Sequence, residues 1–119
     1  MPDAAETASR EGWRRTMATG ERLAAEATVA PRAAGHARRL SARAAGRWPA
    51  PDAVEAGYWP SLCLTWSAAA LEIEIHDDRL ELYRFGPGVT EIREWRCGPD
   101  ETAADLLDDL LHAAFGGTP

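Results

Sequence analysis

The sequence predicts an α+β fold: N-terminal helices, a four-stranded antiparallel β-meander, and a C-terminal amphipathic helix packed on one sheet face. Three observations carry this expectation. Residues 61–97 alternate apolar and polar side chains with period two, as in Leu71-Glu-Ile-Glu-Ile75, the pattern of strands with one buried and one wet face. The flanking segments instead repeat apolar residues at helical spacing. A hairpin-sized sheet is not stable by itself in water, so those helices must cover its apolar side.

The strand register is over-determined. A four-residue loop at 67–70 sets Trp66 opposite Leu71, Leu64 opposite Ile73 and Leu62 opposite Ile75. A two-residue turn at Asp77-Asp78 sets Ile75 opposite Leu80 and Ile73 opposite Leu82. Both loops send the same residues to the same face, as a meander requires. Gly86-Pro87-Gly88 suits a three-residue hairpin, with Gly88 free to take positive φ. That register turns Ile92 inward beside Leu82 and leaves Trp95 on the wet side, whereas a bulge would turn Trp95 inward. Both alternatives stand at this point. The expected core contains Leu64, Trp66, Ile73, Ile75, Leu80, Leu82, Leu107 and Leu110.

The N-terminal half begins with Asp3-Ala-Ala-Glu6, the spacing of a capping box, which predicts a helix from about Ala4. Trp13, Met17, Ala24 and Ala27 recur at helical spacing, but Gly12, Gly20 and several threonines predict one interrupted helix or two short ones. Pro31 suits the first position of a second helix, running to about Arg47. Its apolar stripe is Ala33, Ala37, Leu40, Ala44 and Trp48. Beside it Arg32, His36, Arg39, Arg43 and Arg47 fall within an arc of roughly 80°. Such a stripe serves as a solvated face or pairs with acids of the same chain, and a contact to nucleic acid is the smaller possibility.

Three prolines and a glycine make residues 49–60 a connector, with Tyr58 and Trp59 expected to seal the sheet edge, and an exposed aromatic binding site the lesser alternative. After the meander, Gly98-Pro99-Asp100-Glu101 predicts the start of the last helix, and Gly116-Gly117 its end. Ala103, Leu106, Leu107, Leu110, Leu111 and Ala114 form its apolar stripe. Asp105, Asp108, Asp109 and His112 share the outer side, and a solvated acidic face explains them better than a metal site.

At 119 residues the chain is expected to be one domain, with helical residues 1–48, connector 49–60, meander 61–97 and C-terminal helix 98–117. No apolar run approaches ~18 residues, and the N-terminus lacks the basic and apolar regions of a signal peptide. These features predict a cytoplasmic protein. Cys63 and Cys97 lie on strands separated by roughly 14 Å, beyond the ~7 Å Cα separation of a disulfide. The net charge of −6 hides a division: residues 1–50 carry nine arginines and five acids, residues 51–119 four arginines and fourteen acids. All thirteen basic residues are Arg.

Ala30-Pro-Arg-Ala-Ala-Gly-His-Ala-Arg-Arg-Leu40, followed by Pro60-Ser-Leu-Cys-Leu-Thr-Trp66 and Leu71-Glu-Ile-Glu-Ile75, resembles a set of small uncharacterised bacterial proteins. In these a proline-led helix precedes a Pro-x-apolar-x-apolar-x-Trp strand and a meander. The resemblance spans roughly residues 30–85 and implies the order of the fold, with no activity attached.

The sequence holds no phosphate-binding glycine loop, no Cys-x-x-Cys pair and no His-Glu-x-x-His helix. On the wet face the register sets Cys63 beside Glu74 and Glu81, Thr65 beside Glu72 and Tyr83, and Ser61 beside His76. Cys63 and His76 are then diagonal neighbours, roughly 7 to 8 Å apart. That is loose for a nucleophile and base, and the glutamates raise the thiol pKa, against reactivity. Glu74 facing Glu81 is a like-charge pair that Arg93 or Arg96 is expected to offset.

The sequence therefore predicts an acidic, non-enzymatic, protein-binding or regulatory protein, with inhibitor, immunity and antitoxin-like roles all compatible. No catalytic residues, cofactor or metal are assigned, and no membrane is involved. The expected contact surface is Glu72, Glu74, Glu81, Tyr83 and Phe85, facing a basic protein partner. The alternatives are a nucleic-acid module using the 31–47 arginine stripe, or a structural subunit of a larger complex.

Overall fold

The structure, a computed structural model, describes residues 3–58, 60–98 and 103–116. Two helices, α1 (Ala4–Ala25) and α2 (Pro31–Ala44), precede five strands and a last helix. The strands are β1 (Ala53–Ala56), β2 (Leu62–Trp66), β3 (Leu71–Ile75), β4 (Arg79–Gly86) and β5 (Val89–Arg96), and the helix is α3 (Ala104–Phe115). The sheet is antiparallel throughout, in the order β1-β2-β3-β4-β5.

The expected register of β2, β3 and β4 is the observed one, from Trp66 opposite Leu71 to Ile75 opposite Leu80. All eight residues expected in the core are buried. Alternate residues of β2 and β3 are buried and half-buried in strict succession, as a sheet covered by helices on one face dictates.

Besides α2, which ends at Ala44 and not near Arg47, four features differ from expectation. The sheet has five strands, because Ala53–Ala56 pairs with β2 in what was expected to be connector. Val54 and Ala56 point to the core side opposite Leu64 and Leu62, but a single β-branched residue gives such a strand little signal. Next, β4 and β5 join through a two-residue loop, with Gly86 opposite Val89. Pro87 and then Gly88 at φ +78° fit the two central positions of a type II turn. This shorter loop sets Trp95 opposite Leu80 on the core side and Ile92 opposite Tyr83 on the other side without any bulge.

The first helix is continuous over 22 residues and capped by Asp3, whose carboxylate accepts the Glu6 amide at 2.7 Å. Its buried face is Ser9, Gly12, Trp13, Thr16 and Gly20. The glycines do not break the helix because both are contact points: a β-carbon at Gly12 would collide with Ala50, and one at Gly20 would touch Leu62 and Ala37. Finally, Tyr58 does not seal the edge; it is 92% exposed. Trp59, and the helix start expected at Pro99-Asp100-Glu101, lie outside the described residues.

One end of the core is aromatic. Trp13 and Trp66 lie 5.9 Å apart by ring centroid, and Trp66 meets Phe115 of α3 edge-on at 5.2 Å. The Trp13 and Trp66 indole N–H groups donate to the carbonyls of Trp48 and Pro49, so the 48–49 backbone is tied to both layers. At the far end of α3, Arg84 donates to the Ala113 and Ala114 carbonyls, a cation at the negative end of the helix dipole.

Candidate functional site

With all three helices contributing to one core, the outward side chains of the sheet form a second surface, outside the core cluster of the described residues. None of Cys63, Thr65, Glu72, Glu74, Glu81 or Tyr83 belongs to the core cluster. The strand pairing sets Glu55 beside Cys63, Cys63 beside Glu74, and Glu74 beside Glu81. It also sets Glu72 beside Tyr83 and Tyr83 beside Ile92. Four of the five expected contact residues, Glu72, Glu74, Glu81 and Tyr83, thus come together, and the fifth, Phe85, stacks on Tyr83 at 6.4 Å.

The Glu74–Glu81 repulsion is relieved by groups other than Arg93 and Arg96. The His76 Nε2 lies 2.7 Å from Glu81 Oε1 and 3.7 Å from Glu74 Oε1. Ser61 Oγ donates to Glu74 Oε2 at 2.6 Å, and the Tyr83 hydroxyl donates to Glu81 Oε1 at 3.0 Å. Arg79 Nε approaches Glu81 Oε2 at 3.5 Å. Arg93 stands opposite Leu82 on the core side, its guanidinium over the Trp95 ring, and Arg96 reaches Glu94 and Asp78. The shorter β4–β5 loop turns Arg93 to the core face, opposite to the three-residue register, whereas Arg96 lies on the outer face opposite Arg79 and is taken by its nearer acids.

Burial pushes the Glu81 carboxyl up, but hydrogen bonds from His76 and Tyr83 and the charges of His76 and Arg79 outweigh it and hold it below the usual range. Glu72 is raised, by burial and then by Glu74. It has no ion pair or side-chain hydrogen bond among the described residues. The Tyr83 hydroxyl is pushed up to about 12 by burial, by its bond to Glu81 and by the surrounding carboxylates. Burial and the charges of Glu74, Glu72 and Glu55 push the Cys63 thiol up to about 12. At neutral pH it is a protonated thiol and a poor nucleophile.

A depression of about 370 Å³ opens on this face, lined by Gly57, Tyr58, Cys63, Glu72 and Glu74. Gly57 makes room for it: a β-carbon there would stand 2.5 Å from Ser61 Oγ and 2.8 Å from Cys63 Sγ. A larger groove of about 720 Å³ runs between α1 and residues 46–52.

The arginine stripe of α2 does not form one exposed surface. His36 is buried, with Nε2 2.8 Å from the Asp77 carbonyl and 3.4 Å from Cys97 Sγ. Arg43 forms a two-pronged ion pair with Asp108 at 2.7 and 2.6 Å, Arg39 bears electrostatically on Cys97, and Arg32 and Arg47 are exposed. The outer acids of α3 are used similarly: Asp108 by Arg43, and Asp109 by the Trp95 indole N–H at 2.6 Å.

Sequence reasoning placed His76 beside Ser61 and gave it no part in the acidic cluster. The signal was present in Glu74-x-His76 on one strand face with Glu81 in register across from it. No helix among the described residues is long and apolar enough to cross a membrane. No protein-family model, curated protein or solved structure matches this chain.

Proposed function

We propose that the protein is a non-catalytic binding module whose outer sheet face takes an arginine- or lysine-bearing segment of a protein partner. The observation that carries this reading is Glu72. It is a half-buried carboxylate beside Glu74, without a cation of its own among the described residues, at the wall of a depression that Tyr58 rims. A guanidinium or ammonium entering there supplies the missing charge, and its stem packs on the Tyr58 ring. Tyr83, the half-exposed Phe85 and Ile92, 61% exposed, continue the surface as apolar anchors beside complementary charge, a common composition for binding hot spots. The arginine stripe, with His36 buried and Arg43 committed to Asp108, offers less to nucleic acid.

The test is an amide chemical-shift titration of the ¹⁵N-labelled protein with an arginine-rich peptide at near-physiological salt. Shifts should gather on Gly57, Cys63, Glu72 and Tyr83, and Glu72→Arg should remove them while leaving the rest of the spectrum in place. Shifts centred on α3, or unchanged in Glu72→Arg, would refute the reading.

A further inference from the structure

The geometry points to a divalent transition-metal site, of the zinc type, formed by Glu74, His76 and Glu81. It is independent of the docking reading above, since neither needs the other to hold.

The backbone brings the three together. Glu74 and His76 sit two residues apart at the C-terminal end of β3, so both project from the outer face, and Glu81 stands directly opposite Glu74 on β4. One ligand atom from each lies within 4.8 Å of the other two, the only such trio of histidine, cysteine and acidic side chains among the described residues. The imidazole Nε2 is 2.7 Å from one carboxylate oxygen and 3.7 Å from the other. Donors bound to one ion at about 2.0 to 2.2 Å lie about 3 to 3.5 Å from each other, so the two histidine–carboxylate distances need change by less than about 1 Å to suit an ion.

The donor set is more than an acidic cluster, because a nitrogen ligand is already aimed between the two carboxylates. Imidazole selects zinc, iron, nickel and copper over magnesium and calcium. Two carboxylates with a neutral imidazole carry a charge of −2, which a divalent ion cancels. Arg79, at 3.5 Å from Glu81 Oε2, offsets part of the same charge and competes with the ion. Outer groups fix the ligands: Ser61 Oγ holds Glu74 Oε2 and leaves Oε1 turned to His76, while the Tyr83 hydroxyl holds Glu81. Hydrogen-bonded outer groups of this kind orient metal ligands and strengthen them. The three side chains are only 14–16% exposed, yet the site lies on the outer face, so three protein ligands leave a position for water.

In the metal-free protein the His76 Nε2–Glu81 Oε1 contact occupies the centre, so the ion must replace it, and any proton held there must leave. The ion takes the Nε2 lone pair, and such a proton passes to solvent or to Nδ1.

Isothermal titration of the full chain with Zn²⁺, and absorption spectra with Co²⁺, test the proposal. Saturable binding of one ion per chain is expected, with Mg²⁺ failing to compete at equal concentration. His76→Gln and Glu81→Gln should each weaken binding at least 100-fold and Ser61→Ala about 10-fold, while Cys63→Ser, Cys97→Ser and His112→Gln leave it unchanged. Absence of saturable binding overturns the proposal, as does binding that survives His76→Gln or is lost in a cysteine variant. Should the ligand variants misfold, Mn²⁺ broadening of the wild-type amide spectrum decides. Broadening centred on residues 74–81 supports the site, and broadening centred on residues 105–109 overturns it.

Discussion

The two faces of the sheet are built from alternate residues of the same strands, yet they are held by different physics. On the inner face Leu62, Leu64, Ile73, Ile75, Leu80 and Leu82 are almost wholly removed from water, and their packing is indifferent to pH and salt. On the outer face Glu74, His76 and Glu81 reach 14–16% side-chain exposure, outside the core cluster of the described residues. They shelter one another and their neighbours, and ordered hydrogen bonds from Ser61 and Tyr83 hold them apart. A wet face can therefore be nearly as enclosed as a dry one, at the cost of concentrated charge that only polar partners relieve.

This contrast can be broken by substitution on either side. The largest effect belongs inside: Ile73→Ala should destabilise by about 2 to 5 kcal/mol in urea unfolding, and a loss below about half a kcal/mol would show that the inner face has been assigned wrongly. Within β5 the comparison becomes direct, because Trp95 and Ile92 occupy opposite faces. Trp95→Ala should cost about 2 kcal/mol or more through lost packing and its bond to Asp109. Ile92→Ala should cost less than about 0.5 kcal/mol. Equal losses would mean the strand lies in the other register.

On the outer face the sign should reverse. Glu72→Gln removes a carboxylate that Glu74 repels, and should stabilise by about 0.2 to 1 kcal/mol at neutral pH. A lower melting temperature in that variant would show that Glu72 has a favourable partner in the free protein. The smallest effect is the pH dependence of two exposed carboxyls. Asp52, bonded by the Ser67 hydroxyl and amide, and Asp108, bonded by Arg43, both lie below their ordinary values. A lowered folded-state value contributes stability that is present above about pH 4, the unfolded value, and is lost as pH falls through the folded one. Asp52→Asn and Asp108→Asn should slightly flatten the loss of stability below about pH 4, and an unchanged acid limb would leave those bonds without energetic weight.

The parts of this architecture that were legible in the sequence are those constrained twice. The register from Leu62 to Leu82 satisfies two loops and one hydrophobic pattern together, so a one-residue slip contradicts all three. The fifth strand was constrained by its loop alone, and a loop of two residues in place of three exchanged Ile92 for Trp95. Helix α1 hid its buried face because Ser9, Gly12, Thr16 and Gly20 serve close packing and contribute nothing to hydrophobic periodicity. The acidic face was legible because Glu72, Glu74 and Glu81 are placed by the secure register. The part taken by His76 was missed because its contact with Glu81 is a diagonal one beside the Asp77-Asp78 turn, and the diagonal neighbour weighed for His76 was Cys63.

The sequential order of the strands has a consequence in time. Neighbouring strands are joined by loops of five, four, three and two residues from β1 to β5, and α1 and α2 by a link of five. Nearly every pairing is therefore local along the chain, and local pairings close quickly because little loop entropy is lost before contacts form. Single hairpins of the meander close in about 1 to 10 μs, and they gain lasting stability only when the helices cover them. The docking of the helical pair and the meander through the 45–52 segment, with Trp13, Trp66 and Phe115 meeting from distant parts of the chain, joins the most remote residues and should set the rate of folding.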